Sequence, residues 1–382
     1  LRLFDGQALS LRDGVEILVD SGRIAALPGA GQGPQDAERI DCGGRTVIPG
    51  LIDTHWHATL CGISQIAAMT QDIGFVHLIA GQQAGATLMR GFTTVRDVGG
   101  PAFGLQAAID RGVVTGPRIF PSGAILSQTS GHGDFRFSNA LPMMPSDPAD
   151  YATRQGMTAL ADGVPEVLRR TREQLMKGAS QIKISAGGGV ASQYDPLESL
   201  QFTLDEMRAA VDAASDWGTY VCAHVYTAPG IRRCIEAGVK SIEHGQLADE
   251  DTVRMMADRG TWWSIQPFLQ DEDANTYTDP KAVAAQKAVA EGTVQAFEWA
   301  DKHKVNWAFG TDILYGGGES QGRQLAKLAR FMSPLAALHR ATGAAGALLA
   351  LSGGRAPYDG RLGVIAEDAL ADLLVIDGDT VP

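Results

Sequence analysis

The sequence predicts a (β/α)₈ barrel (a TIM barrel) accompanied by a small β-sandwich-like domain that is formed from both ends of the chain. Between residues 49 and 357, short apolar runs rich in Val, Ile, Phe and Trp alternate with helical segments, as repeated βα units do. Eight candidate barrel strands lie in this middle part: 47–53, 92–97, 117–123, 180–185, 219–224, 240–244, 261–266 and 305–310. A doubly wound open sheet is the alternative, but no Gly-x-Gly-x-x-Gly fingerprint follows a first strand.

Two of the intervening helices have clear start signals. Thr203 and Glu206 predict a capping box for a helix that ends near Gly218. Ser333 followed by Pro334 predicts an N-cap with proline at the first helical position.

The two ends of the chain have a different character from the middle. Short alternating strands separated by turn residues indicate antiparallel β-structure at 2–4, 14–20 and 23–27, and again at 363–365 and 371–377. We therefore expect a small β domain made of residues 1–48 and 358–382, and a barrel made of residues 49–357.

The composition is that of a globular protein with an acidic balance. The 382 residues are 45% hydrophobic and 20% charged, and the formal net charge is −12. No basic stripe offsets this charge, which argues against nucleic acid as a partner. No apolar run reaches the roughly 18–20 residues that span a bilayer. Because the chain starts at Leu1 without Met, we expect the natural N-terminus to be missing, and localisation stays open.

The chemistry of the chain is expected to start at His55 and His57, which follow the first apolar run. Side chains on a strand alternate faces with a period of two, so both imidazoles point the same way and can share a metal ion. Two unrelated histidines on one strand are the alternative. The rest of the chain decides between them.

Further ligand-type residues fall at the ends of other predicted strands, where a (β/α)₈ barrel carries its active site. They are Lys183 on the fourth strand, His224 on the fifth, His244 on the sixth and Asp312 after the eighth. Imidazoles and a carboxylate are typical ligands of zinc or a similar divalent ion. The set is too large for one open catalytic site and suits two metals, provided that something bridges them. Lys183 could do so if CO₂ carbamylated its amine.

Together these motifs resemble the amidohydrolase superfamily. The resemblance rests on the stretch from Pro49 to His57, on Lys183, His224 and His244, and on Gly310-Thr311-Asp312. It implies that His55, His57 and Asp312 hold the more buried metal, that His224 and His244 hold the other, and that Lys183 bridges them as a carbamate. Two divalent ions, with Zn²⁺ as the expected metal, and the carbamate are therefore the implied cofactors.

The loops narrow the resemblance to the prolidase-like branch, which includes Xaa-Pro dipeptidases, carboxypeptidases that release Arg or Lys, and ochratoxin-degrading amidases. The stretches that carry it are 127–134, 181–192 and 224–227. This branch implies cleavage of an amide whose leaving group is an amino acid with a free carboxylate. It also implies a homo-oligomer.

Catalytic roles follow from chemistry and position. A bound divalent ion lowers the pKa of water from about 15.7 to about 7, and Asp312 would act as general base and then general acid. His132 could donate a hydrogen bond to the scissile carbonyl oxygen, and Tyr226 to the substrate carboxylate or the oxyanion. A helix cap, a structural histidine and a packed barrel-rim tyrosine are the respective alternatives.

Substrate contacts are expected from the loops after strands 4 and 7. Gly188 and Gly189 offer backbone N–H groups that could receive a carboxylate, unless their loop merely turns tightly. Phe268 is the expected pocket residue. Asp195 and Glu198 could bind a released Arg or Lys, but the absence of a clear acidic cluster in the sequence beside the metals favours an apolar or aromatic leaving group, including the phenylalanine amide of ochratoxin A.

The expected function is therefore that of a binuclear metal-dependent amidohydrolase acting on dipeptides or N-acyl-amino acids. Hydrolysis of a cyclic amide or lactone is the enzymatic alternative. A binding protein without catalysis is a third possibility, which the full ligand set disfavours.

Overall fold

The computed structural model describes residues 1–143, 147–190 and 194–377. Its strands are β1 (Arg2–Leu3), β2 (Arg12–Asp13), β3 (Leu18–Asp20), β4 (Arg23–Ala26), β5 (Thr46–Pro49), β6 (Leu51–Trp56), β7 (Phe92–Asp97), β8 (Arg118–Pro121), β9 (Ile125–Ser127), β10 (Thr158–Leu160), β11 (Ile182–Ser185), β12 (Val221–Thr227), β13 (Ser241–Leu247), β14 (Trp262–Ile265), β15 (Trp307–Phe309) and β16 (Leu373–Ile376).

Its α-helices are α1 (Gln65–Thr70), α2 (Ile73–Met89), α3 (Phe103–Asp110), α4 (Tyr151–Gln155), α5 (Val164–Lys177), α6 (Leu204–Asp216), α7 (Ala228–Ala237), α8 (Glu250–Asp258), α9 (Pro280–Lys302), α10 (Gln321–Lys327), α11 (Pro334–Arg340) and α12 (Gly343–Leu349). Short 3₁₀ helices span Ser138–Ala140, Gly318–Ser320, Leu328–Arg330 and Ala350–Arg355.

The barrel wall is built by parallel strand pairing. β6, β7 and β8 pair in that order, and β9, β11, β12, β13, β14 and β15 form the rest of the wall. The wall closes between β15 and β6, where Thr54 Oγ1 donates to the Phe309 carbonyl at 2.8 Å and the Asp312 N–H donates to the His55 carbonyl at 2.8 Å. The (β/α)₈ barrel predicted from the sequence is thus confirmed, with its third wall position shared by β8 and β9.

The predicted limits of two barrel strands are wrong. Predicted strand 47–53 combines two elements, because Thr46–Pro49 pairs with β1 and β16 in the terminal sheet and the barrel strand begins only at Leu51. The chain changes sheets at Gly50, where a Cβ atom would overlap with the side chain of Thr93. Predicted strand 117–123 is interrupted after Pro121.

The two helix starts predicted from the sequence are confirmed. The Thr203 side chain accepts from the Glu206 N–H, and the Glu206 side chain accepts from the Thr203 N–H, which completes the capping box of α6. The Ser333 side chain accepts from the Ala336 N–H at the start of α11.

Strands from both ends of the chain form the small β domain. Its four-stranded sheet has the order β16-β5-β1-β2, and β3 and β4 form a separate antiparallel pair. Its core contains buried side chains from both termini: Leu3, Val15, Ile24, Val47, Val364, Ile365 and Ala369. Residues 363–365, which were predicted as a strand, do not form one. The domain limits at 48/49 and 357/358 stay a prediction.

Within the described residues, one stretch, Pro334–Arg355, is long and apolar enough to cross a membrane by length and composition. It is divided into α11, α12 and a 3₁₀ helix, and 56% of its most apolar 18 residues are buried. Ala345, Leu348 and Leu349 pack in one cluster with Ile52 of β6 and Ala308 of β15. This is how the core helices of a barrel pack.

Candidate metal centre

His55 and His57 converge on one carboxylate oxygen at the end of β6. The Nε2 atoms of His55 and His57 lie 3.2 Å and 3.3 Å from Oδ1 of Asp312. Both histidines are buried, at 1% and 4% exposure. Two imidazole nitrogens and a carboxylate oxygen at this spacing have the chemistry of a divalent metal site.

His244 at the end of β13 extends this group. One ligand atom each from His55, His244 and Asp312 lie within 4.8 Å of one another. The donor set fits a divalent ion, because neutral imidazoles and an ionised carboxylate are the forms that bind metal. Burial lowers the pKa of His244 well below its usual value, which keeps the ring neutral. Burial alone would raise the pKa of Asp312, but His55 and His57 hold it well below its usual range.

His224 lies beside this cluster on β12. Its ring centroid is 4.5 Å from that of His244, and burial followed by the nearby His132 lowers its pKa well below the usual value. Its Nε2 lies 3.1 Å from the carbonyl oxygen of Gly188, so this contact must be exchanged if that nitrogen is to ligate a metal.

Lys183 is buried on β11, at 2% exposure. Burial lowers the pKa of its amine, while the Glu243 and Asp312 carboxylates oppose that shift. A neutral amine is the form that reacts with CO₂, so this environment is compatible with the carbamate implied by the sequence.

A set of buried side chains and carbonyls orients the histidines from behind. Nδ1 of His55 lies 2.8 Å from Oε2 of Glu243, and Nδ1 of His244 lies 2.8 Å from Oε1 of Gln266. Nδ1 of His57 faces the Gly99 carbonyl at 3.0 Å. Such partners fix the tautomer of a ligating imidazole, so that Nε2 keeps its lone pair.

Glu243 is in turn held by Arg96. Nη2 of Arg96 lies 2.7 Å from both carboxylate oxygens, and both side chains are fully buried. Burial would raise the pKa of Glu243, but the guanidinium and His55 hold it far below its usual range. Sequence reasoning missed both residues, although each directly precedes another ionisable residue on a barrel strand, Asp97 on β7 and His244 on β13, which is a signal that could have found them.

Asp53 fastens the backbone of the ligands. Its Oδ1 accepts from the N–H groups of His55 (3.0 Å) and Thr311 (3.1 Å), and its Oδ2 accepts from Thr311 Oγ1 (2.6 Å) and Gln321 Nε2 (3.0 Å). One carboxylate thereby joins the end of β6 to the turn that carries Asp312. Asp312 itself has φ +54° and His244 has φ +74°. Positive φ at non-glycine residues is costly and clusters at functional sites.

Three side chains predicted to contact the substrate lie around the histidine cluster: His132, Tyr226 and Phe268. The His132 ring stacks on His224 with centroids 3.8 Å apart. The Tyr226 and Phe268 rings stack on His244 with centroids 4.9 Å and 6.0 Å away. Burial raises the pKa of Tyr226 well above its usual value, so its phenol stays a hydrogen-bond donor.

The predicted role of Gly188 and Gly189 does not match their hydrogen bonds. The Gly189 N–H donates to Oδ2 of Asp195 at 3.0 Å, and the Gly188 N–H donates to the Ser199 carbonyl at 3.3 Å. Both donors are used within the protein, so a substrate carboxylate would have to displace them. The adjoining residues 191–192, which we included in the resemblance, lie outside the described residues.

Of the two acidic residues considered for substrate binding, Asp195 is engaged within the protein. Asp195 is 6% exposed and accepts from Gly189, Gln201 Nε2 (3.3 Å) and His132 Nδ1 (3.3 Å). Glu198 is exposed to solvent.

Comparison with known proteins agrees with this arrangement. A profile of the Amidohydrolase family matches residues 46–382, which include every residue of the candidate centre. The chain belongs to this family. Proteins of the Amidohydrolase family generally use divalent metal ions, in keeping with the cluster of His55, His244 and Asp312.

Three relatives within the Amidohydrolase family are informative. The chain is 34% identical to the ochratoxinase of Aspergillus niger over 299 residues, which are 76% of this chain and 61% of the relative. It thus spans about three fifths of the length of that curated relative. A prolidase solved with N-methylphosphonate-L-proline is 35% identical with a TM-score of 0.87, covering 99% of this chain and 92% of its own. A Xaa-Pro dipeptidase with methionine in its active site is 29% identical with a TM-score of 0.84, covering 100% and 93%.

Proposed function

We propose that this protein is a metal-dependent hydrolase that cleaves the amide bond of dipeptides or N-acyl-amino acids with a free carboxylate. The observation that carries the proposal is the convergence of His55, His244 and Asp312 at the carboxyl ends of barrel strands, with His57 and His224 beside them. The likeness to an ochratoxinase, a prolidase and a dipeptidase supports amide cleavage as the reaction.

Two divalent ions, with Zn²⁺ as the proposed metal, fit the number of ligands. His55, His57 and Asp312 would hold one ion, His224 and His244 the other, and Lys183 would bridge them as a carbamate. When bound, the ions would lower the pKa of water towards neutrality and polarise the scissile carbonyl.

Asp312 is the proposed proton carrier. Its low pKa keeps the carboxylate ionised near neutral pH, so Oδ1 or Oδ2 can take a proton from the attacking water. The same carboxylic acid would then pass that proton to the nitrogen of the leaving amine, which cannot depart as an anion.

Tyr226 and His132 are the proposed donors to the substrate. The raised pKa of Tyr226 leaves its hydroxyl protonated, so it can donate to the oxyanion or to the substrate carboxylate. His132 reaches the centre by stacking on His224 and would face the carbonyl oxygen.

The walls beside the centre favour an apolar or aromatic leaving amino acid. Tyr226 packs in one cluster with Leu197 and Val289, against which Phe268 also lies. Asp195 already accepts three hydrogen bonds, so it is poorly placed to pair with the cationic end of a released Arg or Lys. The amide of ochratoxin A belongs to the proposed substrate class.

A panel of N-acyl-amino acids and dipeptides, varied only in the C-terminal residue, tests the proposal. We expect turnover that rises with the apolar size of that residue and is lost when the carboxylate is amidated. Turnover of cyclic amides or lactones alone would instead favour the alternative branch of the family. Lys183→Ala should lose bound metal and activity together; full metal content and full activity would contradict the bridging carbamate.

The homo-oligomer implied by the resemblance to the prolidase-like branch also stays a proposal. Helix α2 exposes apolar side chains, including Leu78 at 76% and Phe75 at 46%. Light scattering coupled to size-exclusion chromatography would measure the mass.

A further inference from the structure

The loop between β14 and α9, residues 266–279, lies over the candidate metal centre. Phe268 near its start stacks over His244 with ring centroids 6.0 Å apart. Tyr277 lies near the end of this loop, and burial raises the pKa of its phenol. The position of this loop therefore sets the space above the metals.

Two buried carboxylates of this loop meet one buried lysine. Nζ of Lys327 lies 2.7 Å from Oδ1 of Asp271 and 3.0 Å from Oδ2 of Asp273. The Lys327 side chain is 6% exposed, and those of Asp271 and Asp273 are 8% and 5% exposed. Two carboxylates that are excluded from solvent and contact the same atom repel each other unless a cation lies between them.

The other cations near this pair are far more exposed. Arg323 approaches Asp273 at 2.6 Å and Arg330 approaches Asp271 at 3.6 Å, but their side chains are 57% and 55% exposed. Ion pairs with such exposed side chains contribute little to stability because water and salt screen them. Lys327 is therefore the buried cation that pairs with both carboxylates of the loop.

The helix that carries Lys327 is itself fastened to the metal centre. Lys327 is the last residue of α10, whose first residue, Gln321, donates to Oδ2 of Asp53 at 3.0 Å. Asp53 in turn holds the backbone of His55. Helix α10 thus contacts Asp53 through its first residue and the loop 266–279 through its last residue.

We propose that Lys327 is a positioning residue that determines substrate specificity by fixing Phe268 above the metal centre. The proposal rests on the proposed function for the class of substrate. Lys327 does not touch the reacting atoms; it sets the space into which the leaving amino acid fits. Lys327 acts on the substrate only indirectly: it pairs with Asp271 and Asp273, and these residues belong to the same loop as Phe268.

Lys327→Met tests this, with Arg323→Gln as the matched control, because both side chains contact Asp273 but only one is buried. For an N-acyl-amino acid with a large apolar leaving group, Lys327→Met should raise KM about tenfold or more. It should leave kcat and metal content nearly unchanged. Arg323→Gln should change KM less than about fivefold.

A second pair of variants shows whether Lys327 acts through Phe268. In a Phe268→Ala background, Lys327→Met should add little further increase in KM, since the positioned ring is already gone. Lys327→Arg, which keeps the charge, should recover part of the wild-type KM and provides a folded variant if the methionine variant is unstable. An undiminished effect in the alanine background, or equal effects of Lys327→Met and Arg323→Gln, would overturn the proposal.

Hydrogen exchange separates this proposal from the proposed function. In the metal-loaded protein, amides of residues 267–279 should exchange faster in Lys327→Met than in wild type or Arg323→Gln, while the barrel strands stay protected. This result is independent of turnover. If exchange changes as expected but no acyl-amino acid is hydrolysed, the proposed function fails and the loop anchor stands. Unchanged exchange would refute the anchor.

Discussion

Nδ1 of His55 lies 2.8 Å from Oε2 of Glu243, and neither side chain is more than 1% exposed. A carboxylate only accepts hydrogen bonds, so Nδ1 of His55 must carry a proton. Nε2, the nitrogen that faces Asp312, is then left with the lone pair that a metal needs. Glu243 therefore selects the tautomer of a proposed ligand without touching the metal itself.

Glu243→Gln should weaken metal binding by about 10- to 100-fold, because a neutral amide replaces the charged carboxylate that accepts from Nδ1 of His55. It should also lower the free energy of unfolding by about 3–5 kcal/mol, since the buried Arg96 charge loses its partner. Metal content after dialysis against graded chelator measures the first effect, and urea unfolding measures the second. Glu250→Gln is the control: Glu250, the first residue of α8, pairs with Lys302 and His303 rather than with a candidate ligand, so this variant should not alter metal binding.

Much of the fold was predictable because apolar runs and their ends are local properties of the sequence. The strand ends that carry His55, His244 and Asp312 could be read in order, and barrel geometry alone then places them together. The change of sheet at Gly50 was not predictable. It depends on the side chain of Thr93, a residue 43 positions away, against which only glycine fits.

The contacts that support the candidate ligands were harder to predict from the sequence. The pattern around Gly188 and Gly189 suggested free backbone donors, whereas Asp195 and Ser199 accept from both. Which acceptor a loop N–H finds is decided by tertiary contacts. Arg96 and Glu243 were missed for the same reason, since neither residue alone resembles part of a metal site.

Asp195→Ala should reduce kcat by up to about 100-fold, because His132 and Gly189 lose their common acceptor and the His132 ring is no longer held in place. Steady-state kinetics on the metal-loaded protein measures the change. Asp162→Ala is the matched control. Asp162 holds the loop that carries His132 at a different residue: its Oδ1 accepts from the Thr129 N–H at 3.1 Å, and its Oδ2 accepts from the Thr129 hydroxyl at 2.7 Å. Equal losses in both variants would mean that loop order alone matters.

The fully buried Asp97 should make the metal-free protein less stable as pH rises. Burial raises the pKa of Asp97 from 3.8 to about 7, against the opposing effect of His57. The folded state then binds more protons than the unfolded state between these values, so its contribution is complete below about pH 4 and lost as pH rises through 7. A shift of about three pKa units corresponds to about 4 kcal/mol.

Asp97→Asn should remove that pH dependence. Urea unfolding of chelated protein between pH 4.5 and 8.5 should give a flatter profile for the variant than for wild type. Asp249→Asn is the control: the pKa of Asp249 is lowered, because Thr252 and Arg232 outweigh its partial burial, so its contribution is lost only on acidification. Parallel profiles for wild type and Asp97→Asn would contradict the prediction.

Gly310 should tolerate no side chain, because a Cβ atom there would lie 2.6 Å from Cβ and 2.9 Å from N of His55. Gly310→Ala must therefore displace His55 or the turn that leads to Asp312, at a cost of about 1–3 kcal/mol in the free energy of unfolding. Since both residues are proposed ligands, metal affinity should fall with stability.

Gly322→Ala is the matched control: Gly322 is an exposed residue of α10 with open space around its Cβ position. It should bind metal as wild type does and gain about 0.4–1 kcal/mol from the reduced entropy of the unfolded chain. Calorimetric titration of Zn²⁺ into the two chelated variants distinguishes them, and wild-type affinity in Gly310→Ala would show that the close approach to His55 is not required.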